Sequence, residues 1–215
     1  MRKMKLAFAA AMLPLAACST VGEGADFGAY SLVRVKPTNV GSGAMTVLPP
    51  RPWNKQRRFF FFDSIRWVED WTLNGPYLDG ITFVSGLPNG QYLVRQRKSD
   101  DRQVPKFRSN MTAPEISSML ESAFRVRGGA IEFKTLNLQP RQFLGYPGFQ
   151  FDFEHLDGDE LWRKGRAVGA VIDGRLYLML FDATRSHYYG NALPDFEVMA
   201  TGARLRTKTA AAAAS

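Results

Sequence analysis

Phe149-Gln150-Phe151-Asp152-Phe153-Glu154 and, farther on, Arg175-Leu176-Tyr177-Leu178-Met179-Leu180-Phe181-Asp182 decide the fold between them. Side chains alternate between the two faces of a strand. The first stretch therefore places three phenylalanines on one side and Gln150, Asp152 and Glu154 on the other, the pattern of a half-buried strand. The second sets Leu176, Leu178 and Leu180 against Tyr177, Met179 and Phe181. A strand apolar on both sides belongs inside a sheet that is covered twice. Asp173-Gly174, just before it, is a type I′ hairpin signal, so Leu161–Ile172 is expected to be its antiparallel neighbour. His155 to Glu160 forms the polar turn that joins this neighbour to the phenylalanine strand.

Outward from this centre lie two helices. Thr112-Ala113-Pro114-Glu115 fits a capping box with Thr112 as N-cap, and Ile116, Met119, Leu120 and Ala123 share one helical face. Arg125 and Arg127 occupy its last turn and Gly128-Gly129 stops it. A second helix is expected to start near Pro194, with Asp195 and Glu197 in its first turn and Phe196, Met199, Ala200 and Ala203 buried. Arg204, Arg206 and Lys208 then suit a helix C-terminus. Ile131–Leu138 reads as a strand. Tyr30–Val35, Ala44–Leu48, Phe59–Phe62, Ile65–Leu73, Ile81–Ser85 and Tyr92–Arg95 read as strands of the first half, and Lys98–Asn110 as an exposed loop. The fold class is α+β: an antiparallel sheet with at least two helices packed against it.

The N-terminus carries a different message. Arg2, Lys3 and Lys5 precede an apolar run from Leu6 to Ala17, shorter than the about 20 residues a membrane-spanning helix needs. That is the layout of a secretory signal. Residues 1–17 are read as that signal, 18–27 as a small, polar tether, 28–206 as one domain and 207–215 as a flexible Ala-rich tail. Removing the signal lowers the formal charge of +8 by three, which leaves a chain suited to anionic envelope surfaces or acidic partners rather than to nucleic acid. Cys18 is the only cysteine, so no disulfide forms within the chain.

Two resemblances rest on these residues. Leu15-Ala16-Ala17-Cys18 resembles the lipobox of bacterial lipoprotein precursors. The resemblance implies that the Cys18 thiol takes a diacylglycerol, that cleavage falls before it, and that the new amino terminus is acylated. Two acyl chains suffice for stable anchoring. Ser19 stands where an Asp would favour inner-membrane retention, which implies the periplasmic face of the outer membrane. Separately, the element order over residues 112–206, with Leu176–Phe181, Tyr188-Tyr189 and Phe196, is similar to the PsbP-like α/β/α sandwich. Members of that family bind proteins or have no known activity.

Candidate chemistry is sparse. No Gly-x-Ser-x-Gly elbow or phosphate-binding Gly-x-x-x-x-Gly-Lys-[Ser/Thr] loop occurs, and there are two histidines. His155-Leu156-Asp157-Gly158-Asp159-Glu160 groups an imidazole with three carboxylates, but the spacing fails the calcium-loop pattern and no zinc motif supports it, so it reads as a polar turn. Arg185, His187, Tyr188 and Tyr189 are the ligand-binding candidates, able to meet an anionic or sugar ligand by hydrogen bonds and stacking. Arg57-Arg58 followed by Phe59–Phe62 reads as a buried strand with an exposed basic start, or as a membrane-facing strand end. Trp53, Trp67 and Trp71 read as core, with a pocket lining as the alternative. No metal, cofactor or catalytic residue is expected. The leading reading is a non-catalytic binding or assembly factor of the cell envelope, held on the membrane through Cys18, whose partner is an envelope protein or an anionic envelope component. The alternative is an envelope hydrolase or small-ligand-binding enzyme using the loop around His187, with His155 or a carboxylate assisting.

Overall fold

The computed structural model describes residues 30–56, 65–94 and 104–206. The signal, Cys18, the tether, the run Arg57–Phe62 and the 207–215 tail lie outside them. In chain order the elements are β1 (Tyr30–Val33), β2 (Thr38–Val40), β3 (Met45–Val47), β4 (Trp53–Gln56), β5 (Val68–Thr72) and β6 (Asp79–Pro88). Helix α1 (Ala113–Ala123) follows, then the long strands β7 (Glu132–Phe143), β8 (Tyr146–Leu156), β9 (Trp162–Ile172) and β10 (Arg175–Thr184). Helix α2 (Tyr188–Gly202) and the short β11 (Arg204–Leu205) end the domain.

The main sheet is antiparallel, with eight strands in the order β1-β4-β5-β6-β10-β9-β8-β7. β10 lies between β6 and β9 and is apolar on both faces, as its sequence requires. Leu176, Leu178 and Leu180 join the three phenylalanines of β8 beneath Ile116, Met119 and Leu120 of α1. Tyr177, Met179 and Phe181 join Phe196, Met199 and Ala200 of α2 and the small sheet β11-β3-β2 on the other side. Asp173 and Gly174 both take positive φ, 49° and 70°, and make the expected hairpin. The capping box of α1 is present: Glu115 Oε2 accepts from the Thr112 N–H at 2.7 Å and from its hydroxyl at 2.9 Å. No helix of the described residues is long and apolar enough to cross a membrane.

Several expectations need correction. The polar side of β8 is buried too: Gln150 and Asp152 are 7% and 6% exposed. Asp152 accepts from Arg166 at 2.6 Å and from Asn137 at 3.0 Å, and Arg166 reaches Glu197 of α2 at 2.9 Å. Alternation reports polarity, and a polar face can be buried when opposite charges come to meet it. α2 begins at Tyr188, not near Pro194, which sits inside it. The carbonyl that Pro194 leaves without its usual donor belongs to Gly190, an exposed residue. Ala203 is buried but already extended, and Arg204 starts β11 rather than ending a helix. Its Nη1 nevertheless donates to the Thr201 carbonyl at 3.1 Å, so a basic group does cap the helix end. Tyr92–Val94 is not a strand, because the chain turns there to pair Gln91 with Phe107. Phe107 and Val104 are core residues, so the described part of the expected loop is not simply exposed. β2, β4 and β11 are too short to leave a periodic signal. Trp53 and Trp71 are core, and Trp67 is half-buried.

Gly165 of β9 lies beneath the Phe153 ring, and a Cβ there would come within 2.0 Å of Phe153 Cζ. Gly165→Ala is expected to lose about 1–3 kcal/mol, the usual cost of overpacking a core. Gly158→Ala, where nothing lies within 4 Å of the added carbon, should change stability by less than about 0.5 kcal/mol. Urea unfolding of the two variants checks the contrast.

Candidate functional site

His155 continues the buried phenylalanine face of β8, and the sheet register sets it opposite Arg163 of β9. Asp182 extends the leucine face of β10 to the same end of the sheet. The turn after β8 folds Asp157 back over them. His155 is 1% exposed, with Nδ1 at 2.7 Å from Asp157 Oδ1 and Nε2 at 3.0 Å from Asp182 Oδ1. Arg163 Nε donates to Asp157 Oδ2 at 2.5 Å, and its Nη2 donates to the Tyr77 carbonyl at 2.7 Å. Rings of Phe124, Phe153 and Phe133 surround the imidazole at centroid distances of 4.7, 5.9 and 6.2 Å.

Burial pulls the His155 imidazole toward its neutral form, but the hydrogen bond and charge of Asp182, reinforced by Asp157, outweigh it. The net effect holds its pKa above the ordinary 6.5. An imidazole that faces a carboxylate at each nitrogen satisfies both as the doubly protonated cation. In that state it has no lone pair with which to act as a general base. The cluster of His155, Asp157, Asp182 and Arg163 gathers paired charged groups at this end of the sheet. It lines a cleft of ≈ 420 Å³ closed by Phe124, the Gly128-Gly129 stop of α1, the turn at Tyr77 and Asp159. α1 reaches this cleft through a single π-helical turn, Phe124–Gly128, which ends on Gly129 at φ 73°. Among the described residues, no group of three or more His, Cys, Asp or Glu side chains is placed to hold a metal ion.

The four residues singled out from the loop before α2 do not converge. Arg185 is exposed, its guanidinium 5.5 Å from the Trp162 ring centroid. His187 is exposed at the start of α2, where Asn191 Nδ2 donates to its Nε2 at 2.8 Å. Tyr188 is half-buried, edge-on to His187. Tyr189 is buried, stacked on Phe181, with Lys164 over its ring and its pKa pushed by burial up to about 12. His187 has no carboxylate partner among the described residues and does not line the His155 cleft. Among the described residues, His187 is thus set apart from the carboxylates that gather around His155.

Sequence reasoning grouped His155 with Asp157 and Asp159 but missed Arg163 and Asp182, which arrive through strand register. A signal was present. His155 and Asp182 each continue an apolar alternation, which marks both as inward-facing.

No protein family and no curated protein sequence matches the chain. Among solved structures it is similar to cyanobacterial PsbP (CyanoP) from Synechocystis sp. PCC 6803, at 14% identity and a TM-score of 0.53. That match covers 87% of this chain and all of CyanoP, so it reaches well beyond residues 112–206 into the strand-rich first half. A weaker likeness, with a TM-score of 0.34 and 8% identity, covers 84% of this chain and 86% of LpqN, which is involved in cell envelope biogenesis in Mycobacterium tuberculosis. The first match shows the fold: a PsbP-like α+β architecture.

Because the folded-state pKa of His155 is raised, its charged form contributes stability fully below the unfolded value near 6.5 and loses it as pH rises through the folded value. Urea midpoints of the wild type should fall across that window. His155→Gln, which has nothing to titrate there, should flatten the slope.

Proposed function

We propose that this chain is a lipid-anchored envelope lipoprotein that works as a non-catalytic binding or assembly factor, with the His155 cleft as its binding surface. The observation that carries the binding role is the pairing of His155. Both ring nitrogens are committed to carboxylates, so the cleft is built around fixed charge rather than around a group free to move protons. The anchor rests on Leu15-Ala16-Ala17-Cys18 and on the solitary thiol. Ser19 favours the periplasmic face of the outer membrane over the inner membrane. The net positive charge suits a surface rich in anionic headgroups, with an envelope protein as the partner recognised by the cleft.

Labelling with radioactive palmitate in the native cells tests the anchor. The wild type should carry label and sediment with outer membranes, and Cys18→Ala should lose the label and move to the soluble fraction. An unlabelled wild type, or a Cys18→Ala variant that keeps both label and membrane position, would overturn the lipoprotein reading.

A further inference from the structure

The groups that build the His155 cleft are not the groups it shows to solvent. Its two basic groups are interior, with the His155 and Arg163 side chains 2% and 5% exposed. Both imidazole nitrogens, and Arg163 Nε and Nη2, are already bonded to Asp157, Asp182 and the Tyr77 carbonyl. The accessible charges are carboxylates: Asp182 and Asp159 are 24% and 46% exposed. Asp182 meets His155 through Oδ1 and is itself among the residues that line the cleft. α1 ends at the same place, and the negative end of its dipole adds to that sign. The chain as a whole is basic, so this is a local reversal of charge.

The mouth carries an aromatic group as well. Tyr77 is 79% exposed, yet its backbone is tied down by the buried Arg163 guanidinium from a distant part of the chain. Phe124 forms the apolar wall. An aromatic residue that lines the same cleft as accessible carboxylates suits a cation that also has an organic stem, through charge on one side and cation–π contact on the other. An anion entering the same cleft would meet the carboxylates while both positive groups lay beneath them.

We propose that the cleft binds an organic cation, an ammonium or guanidinium group, supplied by a small free amine or by a lysine or arginine side chain of a partner protein. This deepens the reading of the chain as a binding factor and is independent of the lipid anchor. Asp182 meets the charge, Tyr77 covers the stem, and the His155–Arg163 pair holds both in place.

The full-length chain, labelled with ¹⁵N-glycine and held in nonionic detergent micelles, tests this by NMR titration with butylammonium, with a capped Gly-Lys-Gly peptide and with acetate. Both cations should shift the Gly128, Gly129 and Gly158 amides saturably, and acetate should not. Asp182→Asn should weaken binding about tenfold or more, as loss of a charged hydrogen-bond acceptor does. Tyr77→Ala, a change at an exposed side chain that leaves the fold intact, should weaken it about threefold, the size of an exposed cation–π contact. Tighter binding of the peptide than of butylammonium identifies the partner side chain as the source, and equal binding identifies the free amine. Absence of saturable shifts with either cation, or equal affinity in both variants, overturns the cation site. If palmitate labelling of Cys18 persists in that case, the lipoprotein reading stands and only the cleft's role falls.

Discussion

β10 is the constraint on which the rest depends. A strand with leucines on one face and Tyr177, Met179 and Phe181 on the other exposes too much apolar surface unless both faces are covered. α1 covers one side, and α2 with the small sheet covers the other. β6 and β9 must flank it to satisfy its backbone, and the remaining strands then continue outward on each side. The PsbP-like layering is thus a consequence of one strand's composition, answered by two amphipathic helices.

The same requirement produces the cleft. α1 covers the phenylalanine face, and its glycine stop lies at the cleft beside His155. Where the cover ends, the inward-facing positions change from Phe153 and Leu180 to His155 and Asp182. Polar groups placed there must pair or remain costly, and they pair with one another and with Arg163 and Asp157. Phe124 belongs to both worlds. It closes the core against Phe153 and forms the wall of the cleft. The opposite face resolves its buried polar groups differently, through the Asp152–Arg166–Glu197 chain that ties β8 and β9 to α2.

The long elements were legible because their periodicity is strong. β8, β9, β10 and α1 needed only alternation, a hairpin dipeptide and a capping box. Short strands such as β2 and β4 were less so, since three or four residues carry too little pattern, and Pro194 misled because proline usually opens a helix rather than sitting within one. The site was half legible. Asp157 and Asp159 are sequence neighbours of His155 and drew notice together, whereas Asp182 reaches it only through two strand registers. His187 attracted attention by chemistry alone. Its exposure depends on where α2 begins, and tertiary packing sets that point.

The central claim is that His155, buried and facing a carboxylate at each ring nitrogen, carries a proton on both at the base of the cleft. Imidazole ¹⁵N NMR of the full-length chain at pH 6.5 addresses it directly. Protons on both Nδ1 and Nε2 of His155 are the predicted result. A bare nitrogen on His155 under the same conditions would contradict the claim and return that histidine to the set of candidate bases.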